Sequence, residues 1–499
     1  MATAVVLSPP TPTPPTYHRI VSPTLQVPAD DKLSIPVGLL ACQRDPLLHE
    51  LATTVVSATV SQAPTPPSNG RKSKKEKAPP APAEPLIEVI LHDTVIFPEG
   101  GGQPSDVGVL TSADGELWDV IEVKRHGGHA VHYVRSKDQS PDSALRAFSP
   151  GAKVGVALGE QGWTRRLDHM CMHTSQHLLS AVLDTRNLST LSWSLTAWPT
   201  PSYVEIPRSM SADEIASVQD EANRLVFEGR SVHVEVEELH DENKPDQEKL
   251  QSGRNVGKAL PADYTGGVKR TVIIDGVDRS PCCGTHLPTI HNLQLFLVPH
   301  TEALARASST SARLYFFAGP RLLHHLGATH ALLARTAATL SARAPQVPER
   351  VAQVVDERKR VGKRVDDVEA ELAGLLARDL VGAGTGGAVH RHRTDDTANP
   401  LGFLNAISMA FAKEVAARQD GARYIVVLSS SPSTQTATST STVLIFGSDE
   451  VKVKEAGDVL KEKLNVKGGG KGRWSGKFTG VWREKESRAI EEALATLGV

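Results

Sequence analysis

Aromatic residues are scarce in this chain, 4% of 499, and it has only four cysteines. So few cysteines cannot staple a chain of this length into a disulfide framework. No run approaches the roughly 20 apolar residues that cross a bilayer, so no membrane partner is expected. The N-terminus, "MATAVVLSPPTPTPPTYHRI", has no basic start followed by an apolar core. That speaks against a secretory signal and for a reducing, cytoplasmic location. The net charge is −2. No global field draws the chain to nucleic acid, and any such binding must come from local patches. With 39% hydrophobic and 22% charged residues, the composition is that of a soluble chain long enough for several domains.

The texture along the chain predicts an α+β, multidomain protein. Residues 1–32 are rich in Pro and Thr and read as a disordered leader. Residues 33–160 carry β-branched, partly alternating runs such as "LIEVILHDTVIF", which fit a small β-barrel-like domain. A Pro- and Lys-rich insert, 62–85, interrupts it and reads as disordered. Residues 161–320 mix helices with strands. In "SADEIASVQDEANRLVFEGR", Ser211 followed three residues later by Glu214 predicts a capping box. Residues 321–381 read as two long helices broken at "APQVP". Val354, Val361, Val365, Val368, Leu372 and Leu375 keep heptad-like spacing with Arg358 in the seam, which fits a helical hairpin or a dimeric coiled coil. Whether the chain is a monomer or a dimer stays open. Residues 382–499 read as a C-terminal α/β domain.

Soft ligands cluster at two places. "RSPCCGTHL" sets Cys282 and His286 four residues apart. "HMCMHTSQHLL" sets His169, His173 and His177 along one face of a helix, where neighbours at i, i+4 can clamp one ion. His-x3-His with Cys-x3-His supplies four N/S ligands, a set that suits one Zn²⁺ per chain. Spacing leaves His169 as an alternative to His177, and Cys283 as an alternative to Cys282, although only Cys282 repeats the i, i+4 geometry with His286. Thr174 and Gln176 lie between the histidines and face either a substrate or the helix.

"HTSQHLLSAV" and "CCGTH" resemble the metal motifs of the editing domain shared by alanyl-tRNA synthetase and the free-standing alanyl-tRNA editing proteins, the AlaX family. "FPEGGGQPSDVG" is similar to that family's Gly-rich motif. "ACQRDPLLHELATTVVSA", "VDRSPCCGTH" and "RLYFFAG" resemble its longer, eukaryotic type. The resemblance covers residues 36–320 and extends more weakly beyond. It implies a zinc-dependent deacylase with His173, His177, Cys282 and His286 as ligands. The expected partner is mischarged tRNA(Ala), from which serine, and with it glycine, is removed. Only about 35 residues precede the β domain, so an aminoacylation domain is not expected there. The same match points to Gly100, Gly101, Gly102 and Gln103 as a loop lining the cleft, although a tight hairpin turn fits the glycines equally well.

Telling serine from alanine requires a polar group for the seryl hydroxyl. "TLSWSLT" is similar in position to the family's hydroxyl-reading segment, which makes Ser194 the candidate and Thr174 the alternative. Near the C-terminus, "VKGGGKGRWSGKFTG" contains Lys467, Lys471, Arg473 and Lys477 and no acid. It is expected to wrap tRNA phosphates, with Trp474 stacking on a base. It is not a Walker A loop. Two rival functions remain: a zinc-stabilised tRNA-binding protein without hydrolysis, and editing of another ester such as Ser-tRNA(Thr).

Overall fold

The computed structural model describes residues 12–61, 85–136, 141–239, 268–304, 310–382, 387–418, 421 and 423–496. The proposed insert at 62–85 falls almost wholly outside these residues. The chain forms two compact units, 1–332 and 333–499.

In the first unit six antiparallel strands close into a barrel, in the order Glu50–Val60, Leu86–Leu91, His129–Arg135, Leu117–His126, Gly108–Thr111 and Lys153–Ala157. Alternation explains the closure. Ile87, Val89 and Leu91 point inward from one strand, and Trp118 and Val120 from another, as a period of two requires. A bulge between Val120 and Glu122 then shifts the phase, so that Val123 is the next residue buried.

The helix Gly159–Asp184 leaves the barrel and runs through the middle of this unit. Gly162 allows its close start, because a Cβ there would lie 2.3 Å from the Val107 carbonyl oxygen. From Arg166 to Leu183 every side chain is buried, including His169, His173, Thr174, Gln176 and His177. Buried polar groups need partners, so this helix points to a site. Two four-stranded sheets accompany it. One joins His18–Ile20, Val232–Glu238, Val268–Ile274 and Asp278–Pro281. The other joins Leu295–Ala303, Ala312–Ala318, Ser202–Ile206 and Ser192–Ser194. Helix Ala212–Glu228 begins with the expected capping box: Glu214 N–H donates to Ser211 Oγ at 3.2 Å, and Ser211 N–H donates to Glu214 Oε2 at 2.8 Å.

For residues 12–32 the expectation of a disordered leader is corrected, and residues 1–11 lie outside the described residues. His18–Ile20 pairs in parallel with Val234–Val236, and Tyr17 is 1% exposed. Tyr17 anchors this segment, buried and donating its hydroxyl to the His286 carbonyl oxygen.

In the second unit a five-stranded sheet runs Gly387–Thr394, Tyr424–Ser431, Thr440–Gly447, Arg473–Thr479, Lys467–Gly469. Its two faces pack into separate cores. One is built on Phe403, Leu404 and Ile407, the other on Val453, Leu460 and Trp474. The hairpin expectation for 321–381 is also corrected. The two helices are Gly319–Thr339 and Val347–Gly382. On the second, Val354, Val361, Val365, Val368 and Leu375 are 40–61% exposed. Only Ala373, Ala377, Leu380 and Val381 near its end are buried, in the core that also contains Phe403, Leu404 and Phe411. No helix among the described residues is long and apolar enough to cross a membrane.

Candidate active site

His173 and His177 lie one turn apart on the central helix, and the loop after strand Asp278–Pro281 brings Cys282 and His286 against them. All four are buried, and their ligand atoms lie within 4.8 Å of one another. Cys282 Sγ is 3.4 Å from His173 Nε2. A tetrahedral ion with bonds of about 2.0–2.3 Å would place donors roughly 3.3–3.8 Å apart.

The orientation of each ring is fixed from behind. His173 Nδ1 faces Gln103 Oε1 at 2.9 Å. His177 Nδ1 faces Asp278 Oδ2 at 2.8 Å. His286 Nδ1 faces Thr174 Oγ1 at 3.4 Å. Each partner holds the Nδ1 side, leaving three Nε2 atoms to converge with the thiol. His286 Nε2 is buried and has no hydrogen-bond partner. A buried imidazole nitrogen without a partner is costly unless something binds it, and an N₃S set of this kind fits a metal ion.

The charge balance supports the same reading. Burial alone would push the Cys282 thiol up. The facing His173, with His177 and His286, outweighs burial and holds the thiol well below its ordinary value. Burial and the neighbouring His173 push His286 down to about 3. Burial would also lower His177, but the hydrogen bond it donates to Asp278 and the Cys282 sulfur raise it to about 9. A thiolate among imidazoles held by acceptors is a donor set arranged for a cation.

The cysteine loop is itself braced. Arg270, fully buried, donates to the carbonyl oxygens of Cys282 at 3.2 Å and Gly284 at 2.9 Å. Gln43 Nε2 donates to the Cys283 carbonyl oxygen at 2.8 Å. Tyr17 hydroxyl donates to the His286 carbonyl oxygen at 3.1 Å.

A cavity of about 760 Å³ opens beside the cluster, lined among others by His177, Cys282, Gln176, Ser194, Trp193 and the Gly100–Pro104 loop. The glycines of that loop are needed. Gly101 and Gly102 have φ of +61° and +75°. A Cβ on Gly101 would lie 3.1 Å from Cys282 Sγ, and one on Gly102 would lie 2.5 Å from Trp193 Nε1.

The sequence-predicted residues divide as follows. His169 and Cys283 are buried but stand outside the four-residue cluster. Gln103 faces the cavity, yet its amide is used on protein partners: it holds His173, accepts from Thr285 N–H at 3.1 Å and donates to Thr285 Oγ1 at 2.8 Å. Thr174 is fully buried, and its hydroxyl accepts from Leu287 N–H at 3.1 Å. The hydrogen bonds of these two turn His173 and His286 toward the cluster. Gln176 Nε2 donates to Ser180 Oγ at 2.8 Å, and Ser180 Oγ lies 2.7 Å from Thr190 Oγ1. Gln176 Oε1 stays buried without a partner. Ser194 is half-buried on the cavity wall.

In the other unit, Trp474 is 1% exposed and stands in register with Ile445 on the neighbouring strand. This corrects the stacking expectation, because a ring within the core offers no face to a base. Lys467, Lys471, Arg473 and Lys477 are exposed on and beside the hairpin. Asp278 was missed by sequence reasoning, although it stands four residues before Cys282.

No family model matches the chain. It is 31% identical to the alaX protein of Saccharomyces cerevisiae, over 92% of this chain and 97% of that one. It is 30% identical to the alanyl-tRNA editing protein Aarsd1 of Mus musculus, over 90% and 96%. The chain belongs to the alanyl-tRNA editing protein family. It is also 30% identical to the alanine–tRNA ligase of Thermococcus kodakarensis, over 58% of this chain and 30% of that enzyme. That shared stretch is what the chain has in common with the ligase.

Asp278→Asn is expected to weaken metal affinity about 10–100-fold, since the group behind a ligand histidine orients it and raises its basicity. Competition with a chromophoric chelator measures this.

Proposed function

We propose that the chain hydrolyses the ester joining serine, or glycine, to tRNA(Ala), acting in trans in the cytosol. The observation that carries this reading is the N₃S cluster opening on a cavity, in a chain of the editing family. We assign barrel residues 33–160, editing residues 161–320 and tRNA-binding residues 382–499.

In the reaction, water attacks the ester carbonyl carbon, the acyl C–O bond breaks, the leaving ribose oxygen takes one of the water's protons and becomes a hydroxyl, and the amino acid leaves as its carboxylate with the other proton released to solvent. His173, His177, Cys282 and His286 would hold one Zn²⁺, which when bound supplies Lewis-acid polarisation and orientation. Gln103, Asp278 and Thr174 keep the three imidazoles turned toward it. The Gly100–Gly102 loop closes one wall without side chains. Gln176 offers its unpaired carbonyl oxygen to a donor on the substrate, and the seryl hydroxyl is such a donor. Ser194 is the second polar group on the wall.

Removing an acceptor that leaves its donor buried costs about 1–3 kcal/mol, or roughly 5- to 150-fold in rate. Gln176→Ala is therefore expected to slow single-turnover deacylation of Ser-tRNA(Ala) by that factor and to leave the slow alanyl ester unchanged, with Ser194→Ala having the smaller effect. Equal losses on both esters would remove Gln176 from the role of hydroxyl reader.

The exposed cations of the C-terminal hairpin support a tRNA-holding role. Changing Lys467, Lys471, Arg473 and Lys477 together to Ala is expected to lower the log–log salt slope of tRNA binding by about 0.7–0.9 per lost contact. Metal content should stay unchanged.

A further inference from the structure

The cavity beside the metal cluster is far larger than a seryl group. At about 760 Å³ it matches the size of sites that hold a drug-sized ligand. An aminoacylated RNA end has that shape: the amino acid, then the terminal nucleoside, then the phosphate that joins it to the chain. The phosphate must lie one nucleoside away from the ester.

The lining combines buried polar groups with basic ones. The floor holds buried His177, Cys282 and Asp278, while Lys124, Arg125 and His126 line the cavity from the barrel strand Leu117–His126. Lys124 and Arg125 are half-buried and His126 is exposed. The bulge between Val120 and Glu122 places Lys124 and His126 there, while Arg125, on the face that Val123 shares, lines the cavity from the other side of the strand. Trp118 and Val120 point into the barrel. Continued alternation would send Glu122, Lys124 and His126 inward as well. The shifted phase buries Val123 instead and turns Lys124 and His126 out. Bulges beside active sites commonly re-aim side chains in this way.

Two acids line the same cavity. Asp278 is committed to His177 and accepts from Ser280 Oγ. Glu99 acts on Lys124 electrostatically. Lys124 is also paired with Glu122 at 3.0 Å, but both side chains are 40% exposed or more, and such surface pairs contribute only about 0–1 kcal/mol. A phosphate can displace that partner. His126 Nε2 lies 3.0 Å from the Tyr133 hydroxyl, which steadies the ring at the strand end.

We propose that Lys124 and Arg125, with His126 beside them, form a phosphate-binding rim that holds the backbone phosphate next to the terminal nucleotide of the acylated RNA. This rests on the editing reading and deepens it. The metal end meets the ester, the rim sets how far the RNA enters, and neither reads base sequence.

The test compares the full-length double variant Lys124→Ala/Arg125→Ala with wild type on two substrates. Ser-tRNA(Ala) carries the phosphate. The ester 2′(3′)-O-seryladenosine keeps the amino acid and nucleoside but lacks it. Expected is a loss of about tenfold or more in kcat/KM on the tRNA, a log–log salt slope lower by about 0.7 per lost contact on single-stranded RNA, and an unchanged rate on seryladenosine. Metal content reports whether the variant keeps its cluster. Equal losses on both substrates, or no loss on the tRNA, would overturn the rim. If wild type cleaves neither ester, the editing reading fails. Fluorescence anisotropy with a 5′-phosphorylated CCA trinucleotide then tests the rim by itself. Weaker binding by the variant supports it, and equal binding overturns it.

Discussion

Cys282→Ala is expected to weaken zinc binding about 10²–10³-fold and to abolish deacylation. Four ligands share an apparent zinc affinity of roughly 10–16 kcal/mol. Losing one therefore weakens the site by about 3–4 kcal/mol, or about 10²–10³-fold in affinity. The loss falls hard here because the three imidazoles cannot move to compensate. Gln103, Asp278 and Thr174 hold them from behind. Cys283→Ala should keep both metal and activity, since Cys283 stands outside the cluster. Elemental analysis and single-turnover rates of the two variants check this, and the opposite pattern would make Cys283 the ligand.

Asp106→Ala is expected to destabilise the N-terminal unit by about 3–5 kcal/mol. Arg166 and Asp106 form an ion pair with neither side chain exposed. Asp106 Oδ2 accepts from Arg166 Nε at 2.7 Å and from Phe97 N–H at 2.9 Å. Arg166 donates to the carbonyl oxygens of Pro46 at 3.1 Å and Val95 at 2.6 Å. The pair ties the segment ahead of the central helix to that helix. Removing the carboxylate leaves a buried guanidinium without its counter-charge, which costs far more than the intact pair contributes. The midpoint of the first urea transition measures the effect. A shift equivalent to under about 1 kcal/mol would mean that water or the carbonyl oxygens already neutralise Arg166.

The ligand set was legible in the sequence because helical spacing is local information. His173 and His177 share a face at i, i+4, and Cys282 and His286 repeat that interval. What turns the rings was not legible. Gln103 reaches His173 across 70 positions, and Asp278 reaches His177 across 101. No local period records such distances. The same limit explains Trp474. Its Gly-rich, basic neighbourhood reads as an open loop, but pairing with Thr440–Gly447 decides which face its ring takes. Residues 12–32 fail as a leader for a related reason, since composition averages over Tyr17 and cannot see the strand that it joins. The valine repeat of Val347–Gly382 shows the converse. A clear apolar period predicts burial, yet Val361 is 61% exposed.

The role proposed for the buried N₃S centre is selective ester hydrolysis on tRNA(Ala). Single-turnover deacylation of Ser-, Gly- and Ala-tRNA(Ala) by the full-length chain, as purified and after chelation with zinc restored, tests it most directly. Expected are fast loss of the seryl ester, much slower loss of the alanyl ester, collapse of the seryl rate on chelation and recovery with zinc. A seryl ester that survives with a metal-loaded enzyme, or a rate indifferent to chelation, would contradict it.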